Sequence, residues 1–204
     1  MSSAAAEPLL TLSGLRTGLL SPVHLELGRG ECVTLSGVSG AGKTQLLRAI
    51  ADLDPHQGEV LLAGQTQETF AAPEWRRRVA FLPAESHWWG ARVEEHFRSL
   101  APELLEILGL DPRCPAWEVE RLSSGERQRL ALARLLSGDP EVLLLDEPTA
   151  NLDPGNALRI EELIGQYRHQ HGAGVLWVSH DPEQSRRVGD RAFTLREGRL
   201  EAAA

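Results

Sequence analysis

Hydrophobic and polar positions in the first part of the chain either alternate or run continuously, which are the marks of strands. Residues 9–13, 23–27 and 32–35 read as three short strands, the second strictly alternating. Residues 45–51 change to helical spacing and stop near Asp54-Pro55. Residues 58–63 and 79–82 predict two further strands, the first turning at Gly64 and the second ending at Pro83. From Ala84 to about Glu120 the pattern loosens. There Leu104, Leu105, Ile107 and Leu108 at helical spacing before Gly109 predict a small helical lobe. Residues 127–136 predict a strong helix closed by Gly138-Asp139-Pro140, and 142–145 a strand covered on both faces. A helix over 154–170, a buried strand over 175–178 and a hairpin over 192–201 turning at Glu197-Gly198 complete the chain. Strands alternating with helices imply a mixed α/β sheet that binds ligands at the carboxyl ends of its strands.

The junctions between these elements carry the chemistry. Gly37-Val38-Ser39-Gly40-Ala41-Gly42-Lys43-Thr44 lies between a strand and a helix and fits the phosphate-loop pattern G-x-x-x-x-G-K-[ST]. Its glycines let backbone N–H groups wrap phosphates, Lys43 reaches the β- and γ-phosphates, and Thr44 offers a hydroxyl to Mg²⁺. A glycine turn that merely joined strand to helix would need neither the lysine nor the threonine. The apolar strand over 142–145 ends in Asp146 and Glu147. Asp146 suits the Mg²⁺ shell, and Glu147 suits orienting or deprotonating an attacking water. Ser123-Ser124-Gly125-Glu126 opens the helix over 127–136. As S-x-x-E it is a capping box, and the same helix N-terminus, with the Ser123 hydroxyl and the Gly125 N–H, is suited to an anion.

Composition narrows the class. The chain has 204 residues, is 42% hydrophobic and 25% charged, and has a formal net charge of −8. One folded domain is expected, and the acidic balance argues against a nucleic-acid surface. The run Arg76-Arg77-Arg78 reads as a solvated helix end rather than a binding patch. No stretch approaches the apolar length of a membrane span, and the N-terminus has neither the basic start nor the apolar run of a secretion signal. Cys32 and Cys114 have no metal or redox spacing, and Cys32 reads as a buried thiol; the cytosol is the expected compartment. His169 and His171 lack the carboxylate or cysteine that would complete a metal site. Of the 21 basic residues, Lys43 is the one lysine. A compact ammonium is kept where a planar guanidinium would not fit between phosphates.

With Leu122-Ser123-Ser124-Gly125-Glu126 before Arg127-Gln128-Arg129, the chain resembles the nucleotide-binding domains of ABC transporters, whose signature is L-S-G-G-Q. Ala150-Asn151-Leu152-Asp153 looks like their D-loop and Ser179-His180-Asp181 like their switch histidine, so ordered motifs cover almost the whole chain. The resemblance implies a P-loop NTPase core of ABC type with an N-terminal antiparallel β subdomain, over about 1–83 and 123–204, and a helical subdomain over about 84–122. It implies MgATP hydrolysis by a head-to-tail homodimer in which the signature of one copy covers the γ-phosphate held by the other. Glu147 and His180 are then the catalytic pair, and Asp153 belongs to the D-loop. A membrane permease is the implied partner, placing the chain at the inner face of the cell membrane.

The chain also departs from the family pattern. Ala84, in Leu82-Pro83-Ala84-Glu85, stands where the family has a glutamine that touches Mg²⁺ or the attacking water; Glu85 is the candidate substitute. The family's adenine-stacking aromatic is absent around Leu15-Arg16-Thr17-Gly18, which leaves either the Arg16 guanidinium or the phosphates to hold the nucleotide. Trp88 and Trp89 are either anchors of the lobe or a docking surface. Within the family the compact ATP-binding proteins of iron or metal export look most similar, with haem export as the other candidate. A soluble ABC ATPase of an assembly or repair complex, or a nucleotide-gated dimer that barely hydrolyses ATP, are the readings from other classes.

Overall fold

The computed structural model describes residues 7–203. The start of the segment read for a secretion signal, residues 1–6, lies outside the described residues. Two sheets organise the chain. The first is antiparallel, in the order β2-β1-β4-β5, from β1 (Leu10–Arg16), β2 (Val23–Leu27), β4 (Gln57–Leu62) and the two-residue β5 (Gln65–Thr66). Alternation sets its register: Leu10, Leu12 and Leu15 of β1 share one buried cluster with Val23, Leu25 and Leu27 of β2 and Val60 and Leu62 of β4. An irregularity between Leu12 and Leu15 carries β1 past the predicted end at Ser13 to Arg16, with Gly14 at a φ of 62°.

The second sheet runs β10-β9-β3-β8-β7-β6, formed by β3 (Cys32–Ser36), β6 (Val79–Leu82), β7 (Val142–Asp146), β8 (Gly174–Val178), β9 (Arg191–Arg196) and β10 (Arg199–Ala202). All neighbours are parallel except the β9–β10 hairpin. The continuous apolar runs now divide by face. Val142 and Leu144 of β7, with Leu176 and Val178 of β8, join the cluster under the antiparallel sheet and α1 (Lys43–Ile50). Leu143 and Leu145, with Val175 and Trp177, join the cluster under α4 (Ser124–Leu136) and α5 (Pro154–His171). Cys32 belongs to this second cluster, and burial pushes its thiol up to about 12, which leaves it an inert core residue.

Helix ends follow local chemistry. α5 starts at Asp153, whose carboxylate accepts the Asn156 N–H, has Pro154 in its first turn and stops at Gly172 in the left-handed region. The same start signal, Asp181-Pro182, opens α6 (Pro182–Val188), a helix the hydrophobic pattern did not predict. α2 (Ala72–Arg78), of which only the arginine end was predicted, is held by the fully buried Trp75, whose indole N–H donates to the Ile50 carbonyl. Arg76, Arg77 and Arg78 are its last turn, as expected, and Arg76 and Arg78 pair with Asp52 and Glu141.

The lobe over 84–122 contains the helix expected from Leu104, Leu105, Ile107 and Leu108 before Gly109, with loop predominating around it. Its α-helix, α3 (Pro102–Ile107), has six residues, and the rest is loop with short 3₁₀ turns at Val93–His96, Cys114–Ala116 and Val119–Arg121. Pro102 fixes the start, Gly109 at a φ of 62° ends the turn, and Pro112 and Pro115 prevent a restart. Nor does the lobe own a core: Val93, Leu105, Leu108 and Val119 pack into the same cluster as Leu130 and Leu143. Arg129, nearly buried in α4, ties the parts together by donating to the carbonyls of Leu108 and Gly109 and to Asn156 Oδ1. His96 arranges the two tryptophans: its Nε2 accepts the N–H groups of Trp89 and Gly90, and both indoles lie edge-on to its ring. Trp88 packs on the core, whereas Trp89 is 73% exposed. Among the described residues no helix is long and apolar enough to cross a membrane.

Candidate functional site

Adjacent parallel strands bring their carboxyl ends to one edge: β3 leads into Gly37–Thr44, β7 ends at Asp146 and Glu147, and β8 leads to His180. The loop between β3 and α1 needs glycine at two places for different reasons. Gly37 has a φ of 143°, and a Cβ there would lie 2.4 Å from the Leu195 carbonyl oxygen of β9. Gly42, at a φ of 101°, caps α1 without a side-chain bond, and a Cβ would press on Leu20 at 2.9 Å. No acidic residue occupies the first turn of α1, so its free N–H groups and dipole face an anion uncontested. Gly40, Val38, Ser39 and Ala41 form the arch between them.

Lys43 is 7% exposed and folds back under this arch, its Nζ donating to the carbonyls of Gly37 at 2.7 Å and Val38 at 3.0 Å. An ammonium has a third N–H, which is left for a phosphate oxygen. The next residue reaches the other way: Thr44 Oγ1 donates to Asp146 Oδ2 at 2.7 Å, joining α1 to β7. A hydroxyl and a carboxylate side by side are the hard oxygen donors Mg²⁺ prefers when phosphates and water supply the rest, so this pair fits that ion. Burial raises the Asp146 carboxyl; the Thr44 hydrogen bond opposes the shift, Glu147 adds to it, and Lys43 lowers it again.

Beyond Asp146 the chain turns sharply. Glu147 has a φ of 48°, a backbone region that a side chain occupies at a cost of about 1–2 kcal/mol. The turn sets its Oε1 at 2.8 Å from His180 Nε2, both partly exposed to solvent. A carboxylate held by an imidazole at a phosphate-facing edge can accept a proton from water while the imidazole faces an anionic substrate. Phosphate loop, Asp146, Glu147 and His180 therefore converge.

Other sequence-predicted residues lie apart. Ser123 caps α4 with the full capping box: Glu126 N–H donates to Ser123 Oγ at 3.2 Å, and Ser123 N–H to Glu126 Oε2 at 2.9 Å. These bonds hold the Glu126 carboxyl below its ordinary value, the Ser123 backbone bond most of all. Ser123 and Ser124 are exposed, and a Cβ on Gly125 would meet Leu152 at 3.1 Å, so the segment abuts the D-loop stretch. Among the described residues no hydrogen bond joins it to the phosphate loop of its own chain. Ser123→Ala removes the cap and is expected to lower unfolding stability by about 1 kcal/mol. Denaturant melts read the change; an unaltered midpoint would show that the helix start is held elsewhere.

Asp153 acts as an N-cap, with its carboxyl lowered by the Asn156 bonds. Arg16 is exposed at the end of β1, and its neighbour Thr17 donates to Gln45 of α1, which sets that strand end beside the phosphate loop. Glu85 is exposed and makes no hydrogen bond to Thr44 or Asp146. Around it, Gln128 of α4 receives the Ser86 hydroxyl and donates to the Pro83 carbonyl, bracketing Ala84 and Glu85. Gln128, Gln184 and His96 escaped sequence reasoning. The one available signal was a polar residue on the apolar face of a predicted helix, and it covered Gln128 alone. Among the described residues no cluster of His, Cys, Asp and Glu is suited to a further metal ion.

Known proteins resemble the chain over most of its length. The family model described as ABC transporter matches residues 20–150. The aliphatic sulfonates import ATP-binding protein SsuB 1 of Nocardia farcinica is 38% identical over 206 residues, covering 96% of this chain and 82% of that protein. The SsuB protein of Granulibacter bethesdensis is 38% identical over 190 residues, with 91% and 77% covered. Among solved structures, an ATP-binding subunit of an ABC transporter superposes with a TM-score of 0.87 at 26% identity, covering 95% of this chain and 88% of that one. A dimeric ATP-binding cassette in a post-hydrolysis state, bound to ADP and Pi, gives 0.81 at 25% identity, with 95% and 98% covered.

Proposed function

Since the chain belongs to the ABC transporter family and is its ATP-binding, ATP-hydrolysing domain, we propose that it drives an importer of aliphatic sulfonates through a membrane permease. ATP and Mg²⁺ are its cofactors. The observation carrying the substrate class is the 38% identity over 96% of the chain to a sulfonate import ATP-binding protein. The iron or metal export inferred from subfamily resemblance, and haem export with it, finds no support in relatives such as these, which are import ATP-binding proteins.

In the proposed reaction, the arch from Gly37 to Gly42 and the start of α1 receive the β- and γ-phosphates, and Lys43 neutralises them. Thr44 and Asp146 would hold Mg²⁺, which would supply charge neutralisation to the phosphates. Glu147 orients the attacking water and accepts its proton, with His180 holding the carboxylate and facing the γ-phosphate. Two copies pair head to tail, so that Ser123 and Gly125 of one chain cover the nucleotide held by the other. Ser124 and Glu126 line that lid, and Asp153 sets the turn behind it. Arg16 supports the base, and Glu85 takes no part in holding the metal. A working site is then shared between chains, which fits the separation of the Ser123 segment from the phosphate loop within one chain.

The test is uptake. Cells carrying this chain and its permease are expected to take up a labelled alkanesulfonate, and deleting the chain is expected to reduce uptake to background. Uptake unchanged by the deletion would overturn the substrate assignment, and co-purification without any multi-span membrane protein would overturn the transporter role.

A further inference from the structure

We propose that Gln184, a residue of α6 outside every family motif read above, is the positioning residue that holds His180 and Glu147 in register for hydrolysis; this rests on the catalytic reading of that pair. Gln184 is 5% exposed and its amide uses both ends. Its Nε2 donates to Thr149 Oγ1 at 2.9 Å and to Glu161 Oε1 of α5 at 2.8 Å. Its Oε1 accepts the Ser179 hydroxyl at 2.8 Å and the Trp177 indole N–H at 3.3 Å. The orientation of the amide is dictated by its partners, because a carboxylate can only accept and an indole N–H can only donate.

These partners sit where the catalytic pair is set. Ser179 precedes His180, and its hydroxyl also accepts the Asp181 N–H at 3.0 Å, closing the turn that carries the imidazole. Thr149 lies two residues beyond Glu147, on the far side of the turn with the strained φ. Among the described residues, besides the Glu147 N–H bond to the Val178 carbonyl and the Glu147–His180 contact itself, Gln184 is the hydrogen-bonded bridge between the two turns. Glu161 anchors it in turn: the carboxylate, 7% exposed at its side chain, receives Arg187 through Nε at 3.0 Å and Nη2 at 2.9 Å. The Glu147–His180 contact of 2.8 Å is thus referred to α5 and α6 rather than to the strands alone. Positional accuracy of this kind matters, since a misplacement of about 1 Å can cost on the order of 10²-fold in rate.

Gln184→Glu keeps the acceptor oxygens but removes the donors and sets a carboxylate against Glu161. It is expected to lower kcat for MgATP hydrolysis by about 10-fold while KM stays within about twofold, the signature of a transition-state effect. Adding Glu161→Gln restores a carboxylate–amide bond with its direction reversed, and kcat is expected to return to within about threefold of the parent, as coupled neighbours do in a double-mutant cycle. Gln184→Met, of similar length without polar atoms, gives the same loss of kcat if Gln184→Glu does not fold. A parental kcat in both single variants, or a swap that folds and melts like the parent yet recovers nothing, overturns the proposal. Glu147→Gln in the same assay separates the two readings: if it hydrolyses at the parental rate, the catalytic assignment fails rather than the role of Gln184.

Discussion

Lys43→Ala abolishes measurable MgATP binding in the expected outcome, with titration calorimetry showing at least a 10²-fold rise in Kd. Charged hydrogen bonds contribute about 1.5–3 kcal/mol each, and about 1.4 kcal/mol is tenfold in affinity. The loss of such a bond to phosphate, together with the ammonium charge beside it, reaches that figure. The geometry makes the residue hard to replace: its Nζ donates to both the Gly37 and Val38 carbonyls from one compact point, which a planar guanidinium does not reproduce. Lys43→Arg is therefore expected to fail as well, although arginine serves at the other 20 basic positions. Binding retained by Lys43→Ala would place the nucleotide elsewhere.

Glu147→Gln is expected to lower ATP turnover by about 10²–10⁴-fold, the range for loss of a positioned general base, while leaving ATP affinity intact. The amide oxygen still accepts from His180, the shape is preserved and the turn at a φ of 48° is not burdened further. With hydrolysis stopped and binding kept, the ATP-bound dimer accumulates, and light scattering after addition of MgATP is expected to report twice the monomer mass. A variant that stays monomeric with ATP bound contradicts the shared-site arrangement. Undiminished turnover removes Glu147 from the reaction.

Both expectations rest on residues legible in the sequence. The phosphate loop, the acids after β7 and the histidine after β8 declare themselves locally, because a strand end followed by glycine or a charge has few other uses. Alternation over 23–27 marked a buried face in advance, whereas the continuous run over 142–145 divided Leu143 and Leu144 between opposite faces only once the sheet formed. In the lobe the leucines before Gly109 marked α3, while the loop fixed by Pro112 and Pro115 beyond it has no periodicity to read. The misses were of two kinds. At Gln184 and His96 the sequence carries no local mark, and at Gln128 only a polar residue on an apolar helix face, since each role is defined by partners distant in the chain or by backbone groups of a loop. α6 was missed and α2 was read only at its arginine end because seven residues are too few for periodicity to register, although Pro73 and Asp181-Pro182 announced their starts.

The exposed Trp89 has an optical consequence. Of the five tryptophans, Trp75 and Trp177 have no exposed surface, and Trp88 and Trp117 are partly covered. Emission from the folded chain therefore divides into shielded, blue-shifted indoles and one ring open to water. That ring lies beside the Arg134 guanidinium, 4.9 Å from its centroid, which draws an anionic quencher such as iodide toward it. The lobe thus carries its own fluorophore, and anything that covers this loop becomes visible as protection from quenching without a label.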